Sequence, residues 1–414
     1  MRVYILTIGN EILLGETLDT NMAEIARGLV EAGADVSGHL TIGDEVGAIA
    51  RAVRDALAGA DAVIVTGGLG PTPDDVTQEG IAEALSVALH VDEEIVARVR
   101  ERFRRIGRTM PEINVRQAEV PDGAVVLPNP VGTAPGLRME SGRAILYVLP
   151  GVPSEMRAIL EASVLPEIRA RSQAPAPVIH LVRTAGIPES EIAERLAALG
   201  GVAGLSLAFL PDPSFGVDLR FVFRGTPEPE RADALALARR SLGEAIYTEC
   251  HGARSAVTLE VALGEALRAR GATIALAESC TGGLIAKRVT DVAGSSDYFL
   301  GGFVTYANDA KIRELGVDPA LLAERGAVSE PVARAMAEGA RTRFGATYGL
   351  SVTGIAGPGG GTPEKPVGLV WLGLATPEGV QARRLQVPGD RRWVRARTAQ
   401  LALDWLRREA RRTP

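Results

Sequence analysis

Two candidate nucleophiles and two glycines occur together in Glu278-Ser279-Cys280-Thr281-Gly282-Gly283, between an apolar run and a helical pattern. The hydrophobic period changes there from strand-like to helix-like, which places Ser279 on the turn between a parallel strand and a helix. Such turns often carry chemistry in α/β proteins, because the first N–H groups of a helix are unpaired and can hold a phosphate or an oxyanion. The alternative is an ordinary turn in which serine and threonine only cap the helix.

A serine hydroxyl needs a base, and the sequence restricts which side chain can be that base. All four histidines precede residue 252, so a Ser-His-Asp triad built within the C-terminal part is excluded. A lysine that has lost its hydration can take the proton instead. Only three of the 45 basic residues are lysines, and Lys311, just after a strand-like run, is the best candidate. Lys287 and Lys365 are expected on the surface and in a mobile loop, and Cys280, a competing nucleophile, should point away from Ser279.

The first 170 residues alternate strand-like and helical patterns, including a helix over 20–31 and strands over 35–42 and 144–149. This order predicts a mostly parallel sheet with helices on both faces. Alternating apolar patterns also predict a sheet in the C-terminal part of the chain. The last predicted element there is an amphipathic helix rich in arginine. We therefore expect the α/β class for both ends of the chain.

A glycine-rich loop follows the third predicted strand, at Gly67-Gly68-Leu69-Gly70-Pro71-Thr72-Pro73-Asp74-Asp75. Free N–H groups in such a loop can approach a phosphate, and the adjacent carboxylates can hold a divalent cation. Two further turns rich in glycine and proline, residues 129–136 and 150–156, are expected to share the same crevice. The alternative for the aspartates is helix capping.

Length, charge and cysteine content restrict the class of protein. A chain of 414 residues is too long for one core and indicates two or three domains. No apolar run reaches the about 18 residues that span a bilayer. Two cysteines exclude both a disulfide framework and a zinc cluster, and a net charge of −6 argues against broad nucleic-acid binding. We therefore expect a cytoplasmic protein with small-molecule partners.

A proline-rich segment at residues 171–177 cannot continue a helix and marks a linker. Beyond it the patterns run β-α-β-β-α-β, the split βαβ sandwich, so we place three domains at residues 1–170, 171–252 and 253–414. The segment Gly201-Val202-Ala203-Gly204 joins a helix to a strand, whereas the G-x-x-G loop of a KH domain binds nucleic acid between two helices. Residues 178–250 carry 7 arginines against 10 acidic residues, which favours a spacer or dimer-forming module.

The N-terminal motifs Thr7-Ile8-Gly9-Asn10-Glu11, residues 67–75 and Leu149-Pro150-Gly151-Val152-Pro153 resemble the molybdopterin-binding fold found in the competence-damage-inducible CinA family. The resemblance implies hydrolysis of ADP-ribose at its pyrophosphate, with a divalent metal (Mg or Co) helped by potassium. It places that metal at Asp44 and Asp74. The nucleotide- or phosphate-binding residues that it implies are Gly9, Asn21, Gly67, Gly68, Gly70, Asn129 and Gly151.

The C-terminal motifs resemble the nicotinamide mononucleotide amidohydrolase domain of the same family over essentially its whole length. The resemblance implies conversion of nicotinamide mononucleotide to nicotinic acid mononucleotide and ammonia, with no cofactor. It makes Ser279 the nucleophile, Lys311 its base and Arg395 an assisting group, while Tyr306 places the lysine or the substrate. The substrate-binding residues that it implies are Thr281, Gly282, Gly283, Asn308, Thr353 and Gly354.

Together these patterns predict an α/β protein with a molybdopterin-binding-like parallel sheet, a small KH-like α+β middle domain and an α/β amidase domain. We expect a bifunctional hydrolase of pyridine-nucleotide salvage, acting on nicotinamide mononucleotide and ADP-ribose. A homodimer is expected, with no membrane and no nucleic acid as partner. Two alternatives stay open, namely a molybdopterin-binding protein without hydrolase activity and an accessory protein of competence or DNA repair.

Overall fold

The computed structural model describes residues 1–172, 175–212, 216–252 and 255–412. They form two compact units that divide between residues 177 and 178. The predicted linker includes residues 173–174 and the predicted C-terminal domain begins with residues 253–254, and both pairs lie outside the described part. In the described part no helix has the length and apolarity needed to cross a membrane.

The first unit is a mixed sheet between two layers of helices, in agreement with the predicted class. Its strands are β1 (Arg2–Ile8), β2 (Asp35–Ile42), β3 (Ala62–Thr66), β4 (Leu89–Val91), β5 (Glu119–Pro121), β6 (Val125–Leu127), β7 (Gly136–Ser141) and β8 (Ala144–Leu149). Its helices are α1 (Asn10–Leu13), α2 (Thr20–Glu31), α3 (Val46–Gly59), α4 (Thr77–Leu85), α5 (Glu93–Arg105), α6 (Pro153–Ile159) and α7 (Leu165–Arg171). The main sheet has the order β2-β1-β3-β8-β7-β6.

The central strands of this sheet are buried on both faces, which explains their nearly continuous apolar sequences. In β1, Ile5 packs with α2 and α6, while the next residue, Leu6, packs with α3 and α4. Strands β2, β1, β3 and β8 run parallel, so their carboxyl ends share one edge of the sheet. The predicted turns at residues 67–75 and 150–156 follow β3 and β8, whereas residues 129–136 connect the antiparallel strands β6 and β7. The antiparallel strands β6 and β7 were not predicted.

The second unit begins with a four-stranded antiparallel sheet, as the β-α-β-β-α-β pattern predicts. Its elements are β9 (Val178–Thr184), α8 (Glu189–Arg195), β10 (Leu205–Asp212), β11 (Gly216–Phe223), α9 (Glu228–Leu242) and β12 (Ile246–His251), with strand order β10-β11-β9-β12. One face packs against α8 and α9.

The second unit continues with a five-stranded sheet that carries the candidate amidase residues. Its strands are β13 (Ile274–Glu278), β14 (Phe299–Val304), β15 (Tyr348–Gly354), β16 (Leu369–Thr376) and β17 (Gly379–Gln386). Its helices are α10 (Leu259–Ala269), α11 (Leu284–Thr290), α12 (Asn308–Leu315), α13 (Pro319–Arg325), α14 (Glu330–Phe344) and α15 (Arg391–Arg411). The strand order is β14-β13-β15-β16-β17, and the first three strands are parallel. Helices α10, α11 and α15 cover one face, and α12, α13 and α14 cover the other.

The parts of the second unit that hold its two sheets are joined by hydrogen bonds from buried arginines to backbone carbonyls. Arg407 of α15 is 1% exposed, pairs with Asp404 at 2.7 Å and donates to the Glu244 carbonyl at 2.6 Å. Arg183 of β9 donates to the Val257 carbonyl at 3.0 Å. Breaking one partner of such a buried pair is costly because it leaves a charge unpaired. Residues 178–252 therefore pack against the last helix instead of standing apart as a spacer.

Candidate active site

Three parallel strands of the five-stranded sheet end side by side, and the loops that follow them carry the candidate catalytic residues. The Ser279 N–H donates to the Val352 carbonyl at 2.9 Å, and the Thr305 N–H donates to the Glu278 carbonyl at 2.9 Å. These bonds continue the strand ladders beyond the strand ends. They fix the start of each loop, so the side chains that follow are held by the sheet and not by mobile backbone.

Lys311 is the group nearest to the predicted nucleophile. It lies on the first turn of α12, and its Nζ is 3.3 Å from Ser279 Oγ. The same Nζ donates to the Thr305 carbonyl at 2.8 Å, which orients it. The side chain is 1% exposed, and among the described residues it forms no ion pair with a carboxylate. Burial lowers the pKa of Lys311 below its ordinary value, so the neutral amine that a general base requires is favoured.

The competing nucleophile and the other lysines are placed differently. Cys280 is buried, and burial raises the pKa of its thiol to about 12, so it remains an unreactive thiol at neutral pH. Lys287 is exposed and pairs with Asp291 at 2.6 Å. Lys365 donates from Nζ to the Arg325 carbonyl at 2.7 Å. Neither of these lysines contacts Ser279.

Glu278 has a role that the sequence analysis missed. Its buried carboxylate accepts the N–H of Ile285 at 3.1 Å and that of Ala286 at 2.8 Å, at the start of α11. The expectation that this helix N-terminus is free to hold an anion is therefore wrong, because a carboxylate of the protein already occupies it. A glutamate directly before a strand–helix turn is the sequence signal that would have indicated this cap, since acidic groups are stabilised at helix N-termini.

The predicted oxyanion donors are only partly available. The Gly282 N–H donates to the Ser279 carbonyl at 3.0 Å and closes a turn. Among the described residues, the N–H groups of Thr281 and Gly283 form no backbone–backbone hydrogen bond. The Thr281 hydroxyl is also buried without a hydrogen-bond partner in the described part. Thr281 and Gly283 are thus the two remaining candidates for holding an oxyanion.

Two arginines at the start of α15 reach the loops around Ser279. Arg395 donates from Nη2 to the Thr281 carbonyl at 2.7 Å and from Nε at 3.3 Å. Arg391 donates to the Gly357 carbonyl at 2.8 Å and to the Tyr306 hydroxyl at 2.7 Å. The Tyr306 side chain is otherwise open, at 58% exposure. The bridge made by Arg391 between two loops was not predicted, because it joins segments that are far apart in the chain.

The other predicted substrate-binding residues of this unit are Asn308, Thr353 and Gly354. Asn308 is exposed and is the first residue of α12. The Thr353 hydroxyl donates to the Ala327 carbonyl at 2.8 Å. A Cβ atom at Gly354 would lie 2.8 Å from the Leu369 carbonyl oxygen. Packing within the fold is therefore sufficient to explain Thr353 and Gly354.

The predicted phosphate-binding glycines of the first unit lie where a Cβ atom would collide with a neighbouring loop. A Cβ at Gly67 would lie 2.1 Å from the Ile8 carbonyl oxygen, and one at Gly68 would lie 2.2 Å from Thr77 Oγ1. A Cβ at Gly151 would lie 3.3 Å from the Gly67 Cα. Close approaches to acidic side chains occur at Gly9 and Gly70. Packing of the loops thus explains these glycines without a phosphate.

The two predicted asparagines of the first unit tie its loops together. Asn21 is buried and donates to the Gly151 carbonyl at 2.7 Å, while its own carbonyl oxygen has no partner among the described residues. Asn129 donates to the Ala134 carbonyl at 2.7 Å and to the Glu155 carboxylate at 2.5 Å. Both side chains hold the edge of the sheet where the parallel strands end.

The predicted metal ligands lie near other carboxylates. Asp44 accepts the Asn10 N–H at 2.9 Å. Burial raises the pKa of Asp44, and the negative charges of Glu11, Asp74 and Asp75 raise it further. Asp74 is exposed. In the described part of the chain, no three side chains of the His, Cys, Asp or Glu type are arranged to hold a metal ion. The acidic groups are thus close enough to repel one another but are not assembled as a complete ligand set.

Comparison with known proteins assigns both ends of the chain. Residues 4–170 match the family described as a probable molybdopterin binding domain, and residues 256–410 match the CinA C-terminal domain. A CinA-like protein of Geobacter sulfurreducens is 48% identical over 99% of this chain and 99% of its own length, and one of Gemmatimonas aurantiaca is 47% identical over 99% and 96%. The crystal structure of the competence/damage inducible protein CihA from Agrobacterium tumefaciens is 45% identical, covers 36% of this chain and 91% of its own, and has a TM-score of 0.35. Because relatives of this similarity span almost the whole chain, it belongs to the CinA-like proteins.

Proposed function

We propose that the second unit hydrolyses the carboxamide of nicotinamide mononucleotide to give nicotinic acid mononucleotide and ammonia. The observation that carries this proposal is the 3.3 Å approach of the buried Lys311 amine to Ser279 Oγ. A nucleophile and a base within hydrogen-bond reach, with the base oriented by a third group, are the signature of covalent acyl transfer. Here the third group is the Thr305 carbonyl.

The mechanism that this geometry supports has two halves. Neutral Lys311 takes the proton of Ser279 while Oγ attacks the carboxamide carbon, and the N–H groups of Thr281 and Gly283 stabilise the oxyanion. The C–N bond then breaks, and the Lys311 ammonium returns its proton to the leaving nitrogen, so that ammonia departs from an acyl-Ser279 ester. Water attacks the ester with Lys311 again as base, which releases the acid and restores the serine.

The substrate class rests on the family resemblance together with two features of the pocket. Tyr306, whose backbone carbonyl lies 3.4 Å from Lys311 Nζ, has an exposed ring that offers an aromatic surface to a flat pyridine ring. The guanidinium groups of Arg391 and Arg395 supply positive charge at the same edge of the sheet. A phosphorylated pyridine amide satisfies both features.

Ammonia release from nicotinamide mononucleotide by the full chain tests the amidase proposal. We expect turnover by the wild-type protein and a loss of at least about 1,000-fold in Ser279→Ala, because the covalent route disappears. Cys280→Ala is the matched control and should stay within about threefold of the wild type, since removing a buried thiol that does not react costs only packing. Activity that survives in Ser279→Ala and disappears in Cys280→Ala would refute the assignment.

A second activity, hydrolysis of the ADP-ribose pyrophosphate, is proposed for the first unit. Burial and the nearby charges of Glu11, Asp74 and Asp75 raise the pKa of Asp44, which supports it, because a cation held by Asp44 and Asp74 would offset those charges. When bound, a divalent cation would neutralise charge on the pyrophosphate oxygens. The test is formation of AMP from ADP-ribose with Mg²⁺ or Co²⁺, with and without potassium. Tight binding of a pterin with no AMP formed would favour the molybdopterin-binding alternative.

A homodimer is also proposed, and light scattering of the full chain tests it. The edge strand β10 supports it, because it is largely apolar and is paired on one side only. A monomer at micromolar concentration would refute this expectation. The role in competence or DNA repair has no support in the charge of the chain, and a salt-sensitive shift of DNA would be needed to favour it.

A further inference from the structure

The negative charge of Glu278 changes where an anionic substrate can bind. Its carboxylate is 1% exposed and accepts the first N–H groups of α11, next to Ser279. A phosphate placed at this helix N-terminus would find the N–H groups of Ile285 and Ala286 already bonded and would be repelled by the buried carboxylate. The anionic group of a nucleotide substrate must therefore be bound by other residues of the pocket.

The first two turns of α15 provide positive charge that is not neutralised within the protein. Among the described residues, Arg391, Arg392 and Arg395 form no ion pair with a carboxylate, although the chain carries a net charge of −6. Arg391 and Arg395 donate only to neutral oxygen atoms. Near the other end of the same helix, Arg407 and Arg408 are both paired with Asp404. Uncompensated guanidinium groups beside a pocket attract anions.

Arg391 is the best placed of these arginines for an anion that enters the pocket. Its bonds to Tyr306 and Gly357 hold the guanidinium between the loops that follow β14 and β15. Those strands flank β13, which leads into Ser279. An arginine side chain has five N–H donors, so the two bonds leave others free. The planar fork of a guanidinium matches a phosphate, with which it forms paired charge-assisted hydrogen bonds.

We infer that Arg391 binds the phosphate of the amidase substrate and thereby selects nucleotide amides over nucleoside amides. The inference rests on the proposed amidase function and adds a specificity residue to it. Arg395 remains the assisting group next to Thr281, and Arg391 forms the outer anion site. The neutral partners of Arg391 keep its charge available, because neither of them offsets it.

The test compares nicotinamide mononucleotide with nicotinamide riboside, which lacks the phosphate, as substrates of the full chain. In Arg391→Ala we expect kcat/KM for the nucleotide to fall about 10- to 100-fold, the range that hydrogen bonds to a charged group account for, mainly through a higher KM. For the riboside we expect a change of less than about threefold, because a group that binds only phosphate contributes nothing to it. Arg384→Ala, which removes an exposed arginine on the far edge strand β17, should leave the ratio of the two substrates unchanged.

A second variant separates phosphate binding from positioning of the tyrosine. If Arg391 acted by holding Tyr306 in place, Tyr306→Phe would remove that contact and lower the preference for the nucleotide as Arg391→Ala does. The Gly357 carbonyl still holds the Arg391 guanidinium in this variant, so we expect instead that Tyr306→Phe keeps the preference. Inorganic phosphate should inhibit hydrolysis of the riboside by the wild type, and Arg391→Ala should relieve this inhibition.

Three results would overturn the inference: an unchanged substrate ratio in Arg391→Ala, an equal loss with both substrates, or a lowered preference in Tyr306→Phe. Failure of the amidase proposal itself is distinguishable, because the wild type would then release ammonia from neither substrate.

Discussion

The two units each place a glycine-rich turn at the carboxyl edge of a parallel sheet, yet the surroundings of the glycines differ. A Cβ at Gly67 or Gly68 would collide with neighbouring atoms at 2.1 and 2.2 Å, so packing alone requires these glycines. A Cβ at Gly282 would have Arg395 as its nearest neighbour at 3.5 Å, and one at Gly283 would have Val304 at 3.6 Å. The second turn therefore has room for a Cβ atom beside a nucleophile, which a sequence pattern cannot distinguish from a turn without that room.

The two sites also differ in how their surroundings shift the pKa of the main titratable group. Burial lowers the pKa of Lys311, 3.3 Å from Ser279, so the proposed amidase site already contains a nucleophile beside a base. Burial and nearby carboxylates raise the pKa of Asp44, so under our proposal the acidic site of the first unit would bind a cation that offsets these charges. One site is thus preorganised by the protein, and the other depends on what it binds.

The largest effect expected in the first unit concerns its metal dependence. Asp44→Asn should lower ADP-ribose cleavage with Mg²⁺ by at least about 10- to 100-fold, the scale of effects around metal sites, because the cation loses a ligand. Ammonia release should not change. Asp55→Asn, on the exposed side of α3, is the control. Wild-type ADP-ribose cleavage by Asp44→Asn would contradict the proposed difference between the two sites, namely that the site of the first unit depends on a bound cation.

A tenfold effect on hydrogen exchange is expected when the Glu278 carboxylate that holds the start of α11 is replaced. In Glu278→Gln one amide N–H of α11 would face the side-chain NH₂ group instead of an oxygen. We expect hydrogen exchange at Ile285 and Ala286 to accelerate about tenfold or more, since a lost bond to a charged acceptor costs about 1.5–3 kcal/mol. Glu330→Gln, at an exposed position of α14, should leave exchange at these two amides unchanged. Unchanged exchange in Glu278→Gln would show that the carboxylate does not hold the helix start.

The pH dependence of stability tests whether Lys311 is neutral in the folded protein. Because burial lowers the pKa of Lys311 in the folded state, the unfolded chain binds more protons between that pKa and the ordinary value near 10.4. The stability of the wild type relative to Lys311→Met should therefore rise with pH in this window, by at most about 1.4 kcal/mol per pH unit. Urea unfolding of both proteins from pH 7 to 10 measures the difference. Parallel curves would mean that the lysine is charged when folded.

The smallest expected effect concerns Cys280, whose thiol we expect not to react with a disulfide reagent in the native protein. Burial raises the pKa of this thiol to about 12, so a disulfide reagent at pH 8 should not label it before the protein unfolds. Labelling of the native protein should be the same for wild type and Cys280→Ala, and Cys250→Ala gives the complementary control. Rapid native labelling of Cys280 would restore it as a rival nucleophile.

The sequence predicts the elements of the fold well where hydrophobic periodicity is strong. The helix expected over 20–31 and the strands expected over 35–42 and 144–149 have those bounds in the structure. Helices α13 and α14 and the antiparallel β6 and β7 were not predicted. The order of strands within a sheet depends on contacts between distant segments, and a local pattern does not carry them.

The proximity of Ser279 and Lys311 was predictable because so few lysines and histidines could serve as the base. The cap made by Glu278 and the bridge made by Arg391 were not predictable, since each depends on how separate segments meet in space. The glycines of the first unit have a packing role that their sequence does not reveal. Gly67 and Gly68 were assigned to phosphate because their sequence is typical of such loops, and the collision at their Cβ positions is visible only in the fold.

The central claim, that a buried lysine activates Ser279, is tested most directly by ammonia release from nicotinamide mononucleotide in Lys311→Met. We expect a loss of about 100- to 10,000-fold, the range that general base catalysis contributes. Lys287→Met is the matched control, because Lys287 is exposed and paired with Asp291, and it should retain full activity. If Lys311→Met keeps more than about a tenth of the wild-type rate, the loss is smaller than removal of a general base would cause. Another group would then take the proton, and the account would be contradicted.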